Sequence, residues 1–132
     1  SCDVSARGMR QSEVMRTIFC ASIGTALLLA GTCGCRRYPP PVPLDQLNPQ
    51  QTAGHAVFEA KCAQCHYDRR DGALHGPSLE SLFKKPSLPS GAPANDDRVT
   101  ATILHGRNMM PAMGNQLDDQ DLADLLAYLH TL

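Results

Sequence analysis

The sequence has no tryptophan, and its 132 residues include only three tyrosines and three phenylalanines. A small domain with so few aromatics struggles to fill its own core from side chains alone. Something else should occupy its middle. Excess charge is missing too: twelve Lys and Arg stand against thirteen Asp and Glu, a formal charge of -1. With no run of basic residues, nothing points to nucleic acid as a partner. From Cys35 onward nine basic residues face eleven acidic ones, so no strongly basic docking ring is expected. Cysteine is absent after Cys65; the six present are Cys2, Cys20, Cys33 and Cys35, then Cys62 and Cys65 as a pair. A disulfide scaffold would spread its cysteines along the chain, which excludes that class.

The N-terminal third reads as an address. Arg10 and Arg16 precede the uncharged, mainly apolar run "TIFCASIGTALLLAG", which meets the small residues of "TCGC" and then Arg36 and Arg37. That is the order of regions in a secretory signal. "TCGC" resembles a bacterial lipoprotein signal, which implies cleavage after Gly34 and Cys35 as the acylated anchor, with Cys33 as the alternative. An uncleaved anchor is also open, because Thr17 to Cys35 is close to the ~20 residues a spanning helix needs. Plain secretion is the third reading. All three place the domain on the periplasmic side of a bacterial membrane, and a membrane tether through an N-terminal lipid or helix is expected. Residues 1–34 are therefore read as an export signal, with 1–14 as an early start-site segment ahead of it. Residues 35–50, which hold "RRYPPPVPLDQLNPQ", are read as a Pro-rich semi-rigid linker, and residues 51–132 as the functional domain.

"CAQCH", Cys62 to His66, is the pattern by which haem c is attached: two thiols at a spacing that reaches the two vinyl groups, and an adjacent imidazole for the iron. Two other readings compete. A redox dithiol normally sits where a strand opens into a helix, whereas "TAGHAVFEAKCAQC" puts the pair at the end of a helical pattern. A structural zinc would need Cys62, Cys65, His66 and His75 together.

Gly54 and Phe58 stand eight and four residues before Cys62, and Leu122, Leu125, Leu126 and Leu129 recur at helical spacing with Tyr128 among them. With CAQCH, these residues resemble the class I c-type cytochromes from about Thr52 to Leu132. The resemblance implies an all-α fold in which three to four short helices wrap one covalently bound haem and the N- and C-terminal helices cross. Asp118, Asp119 and Asp121 suit the start of the last helix. "NDDRVTATILHG" reads as a further helix capped by Asn95 or Asp96 and stopped by Gly106. "HGPSL" resembles the family loop in which a proline carbonyl, here that of Pro77, accepts from the haem-ligating histidine.

In "HGRNMMPAMG", Pro111 and Gly114 break any helix, so Met109, Met110 and Met113 lie on a loop. By the family pattern the methionine before proline is the iron ligand, which selects Met110; Met109 and His105 are the rival ligands, and Met113 packs against the haem edge. Arg69, Arg70, Arg98 and Arg107 are candidate propionate partners. The resemblance implies a monomeric single-electron carrier, not an enzyme, with one haem c on Cys62 and Cys65, iron ligands His66 and Met110, and transient redox protein partners. The alternatives are a haem-based ligand sensor or a redox-enzyme subunit in which Met110 is displaced, and, further off, a zinc or dithiol module.

Overall fold

The computed structural model describes residues 37–132. Three helices organise them: α1 (Pro49–Lys61), α2 (Asp96–His105) and α3 (Asp119–Leu129). Single turns of 3-10 helix at Leu44–Gln46 and Leu82–Lys84 add to these, and the long segment between α1 and α2 is otherwise loop. The fold is all-α, as the resemblance implies, with the first and last helices packed on one another.

Each helix starts at a side chain that satisfies its free amides. Asn48 accepts from Gln51 N at 2.8 Å while Gln51 Oε1 accepts from Asn48 N at 3.0 Å, a reciprocal cap. Pro49, with no amide proton to leave unpaired, occupies the first helical position. The helix thus begins two residues before the expected boundary at Gln51. Asn95 caps α2 by accepting from Arg98 N at 3.0 Å, and Gly106 closes it, both as expected. Asp118 caps α3 through Asp121 N at 2.7 Å, and Asp119 and Asp121 add negative charge where the helix dipole is positive.

The α1–α3 contact depends on Gly54. A Cβ there would lie 1.9 Å from the Asp124 carbonyl oxygen, so only glycine lets the two backbones come this close. Around that contact lie Phe58, Tyr128, Leu125 and Leu132, all essentially fully buried, with the rings of Phe58 and Tyr128 5.8 Å apart. Enclosing a side chain of this size contributes about 1.5–3 kcal/mol. Leu129 completes the buried face, while Leu122 and Leu126 pack at its edge.

The segment expected to be a spacer is in part docked. Tyr38 onward belongs to the same compact unit as the helices. Val42 N donates to Thr131 O at 2.8 Å, Lys84 Nζ donates to Pro39 O at 3.1 Å, and Arg69 Nη2 donates to Val42 O. The amide and carbonyl of Val42 and the carbonyl of Pro39 thus find partners on the domain instead of in water.

The expected membrane tether and membrane-anchored location are corrected here. Among the described residues no helix is long and apolar enough to cross a membrane. The longest, α1, has 13 residues, or about 20 Å at helical rise, against a hydrocarbon core of about 30 Å. The export signal of residues 1–34, the anchor span Thr17 to Cys35, and Cys35 itself as lipid anchor all lie outside the described residues.

Candidate haem site

A cleft of about 410 Å³ opens between α1, α2, α3 and the long loop. Its wall is mostly apolar: Phe58, Leu79, Leu82, Val99, Ile103 and Leu125 line it, joined by Cys62, His66 and Met110. The space that the aromatic-poor composition leaves unfilled is therefore real, and Cys62, His66 and Met110 meet at it, while Cys65 is not among its lining residues.

Cys62 stands at the C-cap of α1, its amide bonded to Phe58 O at 2.8 Å. The chain then turns, with Cys65 N and His66 N both donating to Cys62 O at 3.0 Å. Burial, and secondarily the charge of Cys65, push the free Cys62 thiol up to about 11. A redox dithiol works through a ready thiolate, the opposite shift. The zinc reading fares no better: among the described residues the two cysteines gather with no histidine closely enough to hold an ion.

His66 Nδ1 lies 2.8 Å from Pro77 O. A carbonyl oxygen only accepts, so Nδ1 carries the proton, and in the neutral ring the Nε2 lone pair is left for a metal. The loop that brings Pro77 there is held by Gly76 N, which donates to Cys65 O at 2.8 Å. Gly76 is also a steric requirement, since a Cβ on it would sit 2.3 Å from His66 Cε1. Sequence reading found Pro77 and missed the glycine beside it.

The methionine loop sorts its three thioethers by direction. Arg107 N donates to Met110 O at 3.0 Å and Met110 N to Arg107 O at 2.9 Å, closing a tight turn with Asn108 and Met109 at its tip. Asn108 takes a positive φ of 52°, which asparagine tolerates. The tip throws Met109 outward, 84% exposed at the cleft mouth, while Met110 is half-buried and packs against the core from within the cleft. Gly106, at φ 72°, makes the turn possible; a Cβ there would be 2.6 Å from Met110 O. Met113 N donates to Ile103 O at 2.9 Å, which draws the chain back against α2. Met113 is buried in the core and is not among the residues that line the cleft. His105 is exposed and outside the cleft lining.

Of the four candidate propionate partners only Arg107 lines the cleft. Arg69 is engaged with Val42 O and the Tyr128 hydroxyl, Arg70 lies over the Tyr67 ring at 3.6 Å, and Arg98 is exposed on α2.

Comparison with known proteins places the chain in a family. The family model described as cytochrome C oxidase, cbb3-type, subunit III matches residues 49–129. Cytochrome c6 of Diacronema lutheri is 30% identical over 76 residues, 58% of this chain and 88% of that protein. Cytochrome c6 of Pyropia tenera is 33% identical over 76 residues, 58% of this chain and 85% of its own. The chain belongs to the class I mono-haem c-type cytochromes. The crystal structure of cytochrome c6 from the diatom Phaeodactylum tricornutum is 25% identical and superposes with a TM-score of 0.49, covering 60% of this chain and 88% of that one.

As a c-type cytochrome of the c6 kind, the protein binds one haem c and transfers electrons without catalysing a reaction of its own. The residues present suit that group: an apolar cleft, an imidazole with its second nitrogen committed to a carbonyl, and a thioether facing the same space. The c6 likeness gives a membrane-anchored location no support, so the location expected from sequence is withdrawn.

Proposed function

We propose that this cytochrome shuttles single electrons between protein partners through one haem c, which Cys62 and Cys65 would attach and whose iron His66 and Met110 would hold. The observation that carries the proposal is the hydrogen bond from His66 Nδ1 to Pro77 O, which fixes the ring in the tautomer and orientation a metal ligand needs. When bound, the haem supplies a one-electron iron couple. The chain's own residues set its conditions. With both His66 and Met110 on the iron, no position would be open for a substrate or for O2, and the neutral thioether of Met110 would favour the reduced state over what a second histidine would give. Phe58, Leu82, Val99 and Ile103 keep water from the centre, so little has to rearrange when charge changes. Partner contacts are small and transient, at the exposed rim of the cleft.

A visible spectrum of the purified holoprotein tests the ligand assignment. The weak red-edge band of methionine-to-ferric-iron ligation is expected to vanish in Met110→Ala and to persist in Met109→Ala; the reverse pattern assigns the other sulfur. Rapid CO binding by the reduced protein at neutral pH contradicts a saturated iron and favours the sensor reading.

The oxidase named in the family description favours a second reading, in which the acceptor is a terminal oxidase. Stopped-flow oxidation of the reduced protein by a purified cbb3-type oxidase in the presence of oxygen distinguishes it: turnover at a physiological rate supports that acceptor, and its absence removes it.

A further inference from the structure

His55, Glu59 and Asp68 form, among the described residues, the one group of three metal-ligating side chains whose donor atoms converge, all within 4.8 Å of one another. The geometry points to a second metal site here, for a borderline divalent cation such as Zn2+ or Cu2+, on the flank of α1 and separate from the haem cleft. None of the three residues lines that cleft, although Phe58, between them in sequence, does. The helix therefore presents one side to the haem and another to this cluster.

His55 and Glu59 are four residues apart on α1, so they sit one turn above each other on the same helix face. His55 Nε2 and Glu59 Oε1 are already 3.5 Å apart. Two ligands bound at about 2.0–2.2 Å in a tetrahedral site are separated by about that distance, so this edge of the polyhedron is formed. Asp68 supplies the third ligand from the loop after CAQCH. Its orientation is set from behind, because Oδ1 accepts from Arg69 N at 2.8 Å and Oδ2 accepts from the Tyr128 hydroxyl. A carboxylate has further lone pairs, and a metal ligand held by outer hydrogen bonds is the arrangement that strengthens binding. The other donor separations are at most 4.8 Å, and Glu59, whose side chain is 58% exposed, has room to adjust.

The donor set selects the ion. One imidazole with two carboxylates suits zinc and copper; magnesium and calcium prefer oxygen alone. Two carboxylates and a neutral ring match a divalent charge. Arg69 Nη1, 3.5 Å from the Tyr128 hydroxyl, places an opposing positive charge nearby and keeps the affinity moderate.

Calorimetric titration of the holoprotein with zinc chloride in a chelator-free buffer tests the site. About one zinc per chain is expected, weakened at least about tenfold by His55→Ala and by Glu59→Gln. His130→Ala, which removes a histidine paired with Asp96 at 2.7 Å, should leave binding unchanged. Cu2+ on the unsubstituted protein should give an electron paramagnetic resonance signal with one coordinated nitrogen, absent in His55→Ala. His55 packs on the Tyr128 ring at 4.9 Å, so Glu59→Gln, on the exposed side, decides the matter if His55→Ala fails to fold. No saturable zinc uptake, uptake undiminished in Glu59→Gln, or loss of uptake in His130→Ala each overturns the site.

Discussion

Gly76 and Gly106 do at single atoms what the ligands depend on. Replacing Gly76 with alanine drives a methyl group into the His66 ring, at 2.3 Å from Cε1. Overpacking of this sort costs about 1–3 kcal/mol, and here the strain falls on a proposed iron ligand. Gly76→Ala is therefore expected both to lower the urea midpoint of the holoprotein and to weaken its His66-dependent spectrum, readable in one titration followed at the Soret band. Gly106→Ala should act on the other ligand. It forces a side chain into a positive φ beside Met110 O, and the red-edge methionine band should fall while the Soret intensity stays. CAQCH stands out in the sequence because the chemistry proposed for it is local: two thiols and an imidazole that would serve one macrocycle lie within five residues. Gly76 does not, since what it avoids lies ten residues away and only the folded loop brings it there. The backbone bond from Met113 to Ile103 is hidden for a related reason, as nothing in "PAMG" announces it.

At the scale of elements, the α1–α3 contact is the most exposed to a single change. Gly54→Ala should cost about 3–5 kcal/mol, at the severe end for one methyl group, because the clash at 1.9 Å is with backbone and cannot be relieved by a rotamer. Chemical denaturation of the holoprotein measures it. Loss of the helix cap is milder: Asn48→Ala removes the reciprocal bond with Gln51 and should cost about 1 kcal/mol. Helix existence could be read from spacing, because the leucines of α3 and the Gly54–Phe58 pair repeat with the turn of a helix. The start of α1 was readable as well, in an asparagine followed by a proline and then a glutamine, yet the prolines upstream masked it as linker. Periodicity marks the middle of a helix better than its ends.

Across the whole molecule, Tyr128 ties three parts together: α3 that carries it, α1 through Phe58 and His55, and the loop after CAQCH through Asp68. Burial first, and then its bond to Asp68, raise the phenol well above its ordinary value near 10. The folded chain thus holds this proton more tightly than the unfolded one does. The stabilisation it brings is complete below about pH 10 and is lost as pH rises beyond that, when the unfolded state ionises first. Urea midpoints measured from pH 8 upward should decline above about pH 10, and Tyr128→Phe should show a shallower decline.

The docked strap bears on how the domain carries load. Val42 is fastened to Thr131, just beyond α3, and from the loop Arg69 holds Val42 and Lys84 holds Pro39. A pull on the chain ahead of Tyr38 therefore enters the fold at the far end of α3 and is shared with the loop before it reaches α1. Tension on the strap is taken first by these hydrogen bonds, before it reaches the helix that leads into Cys62.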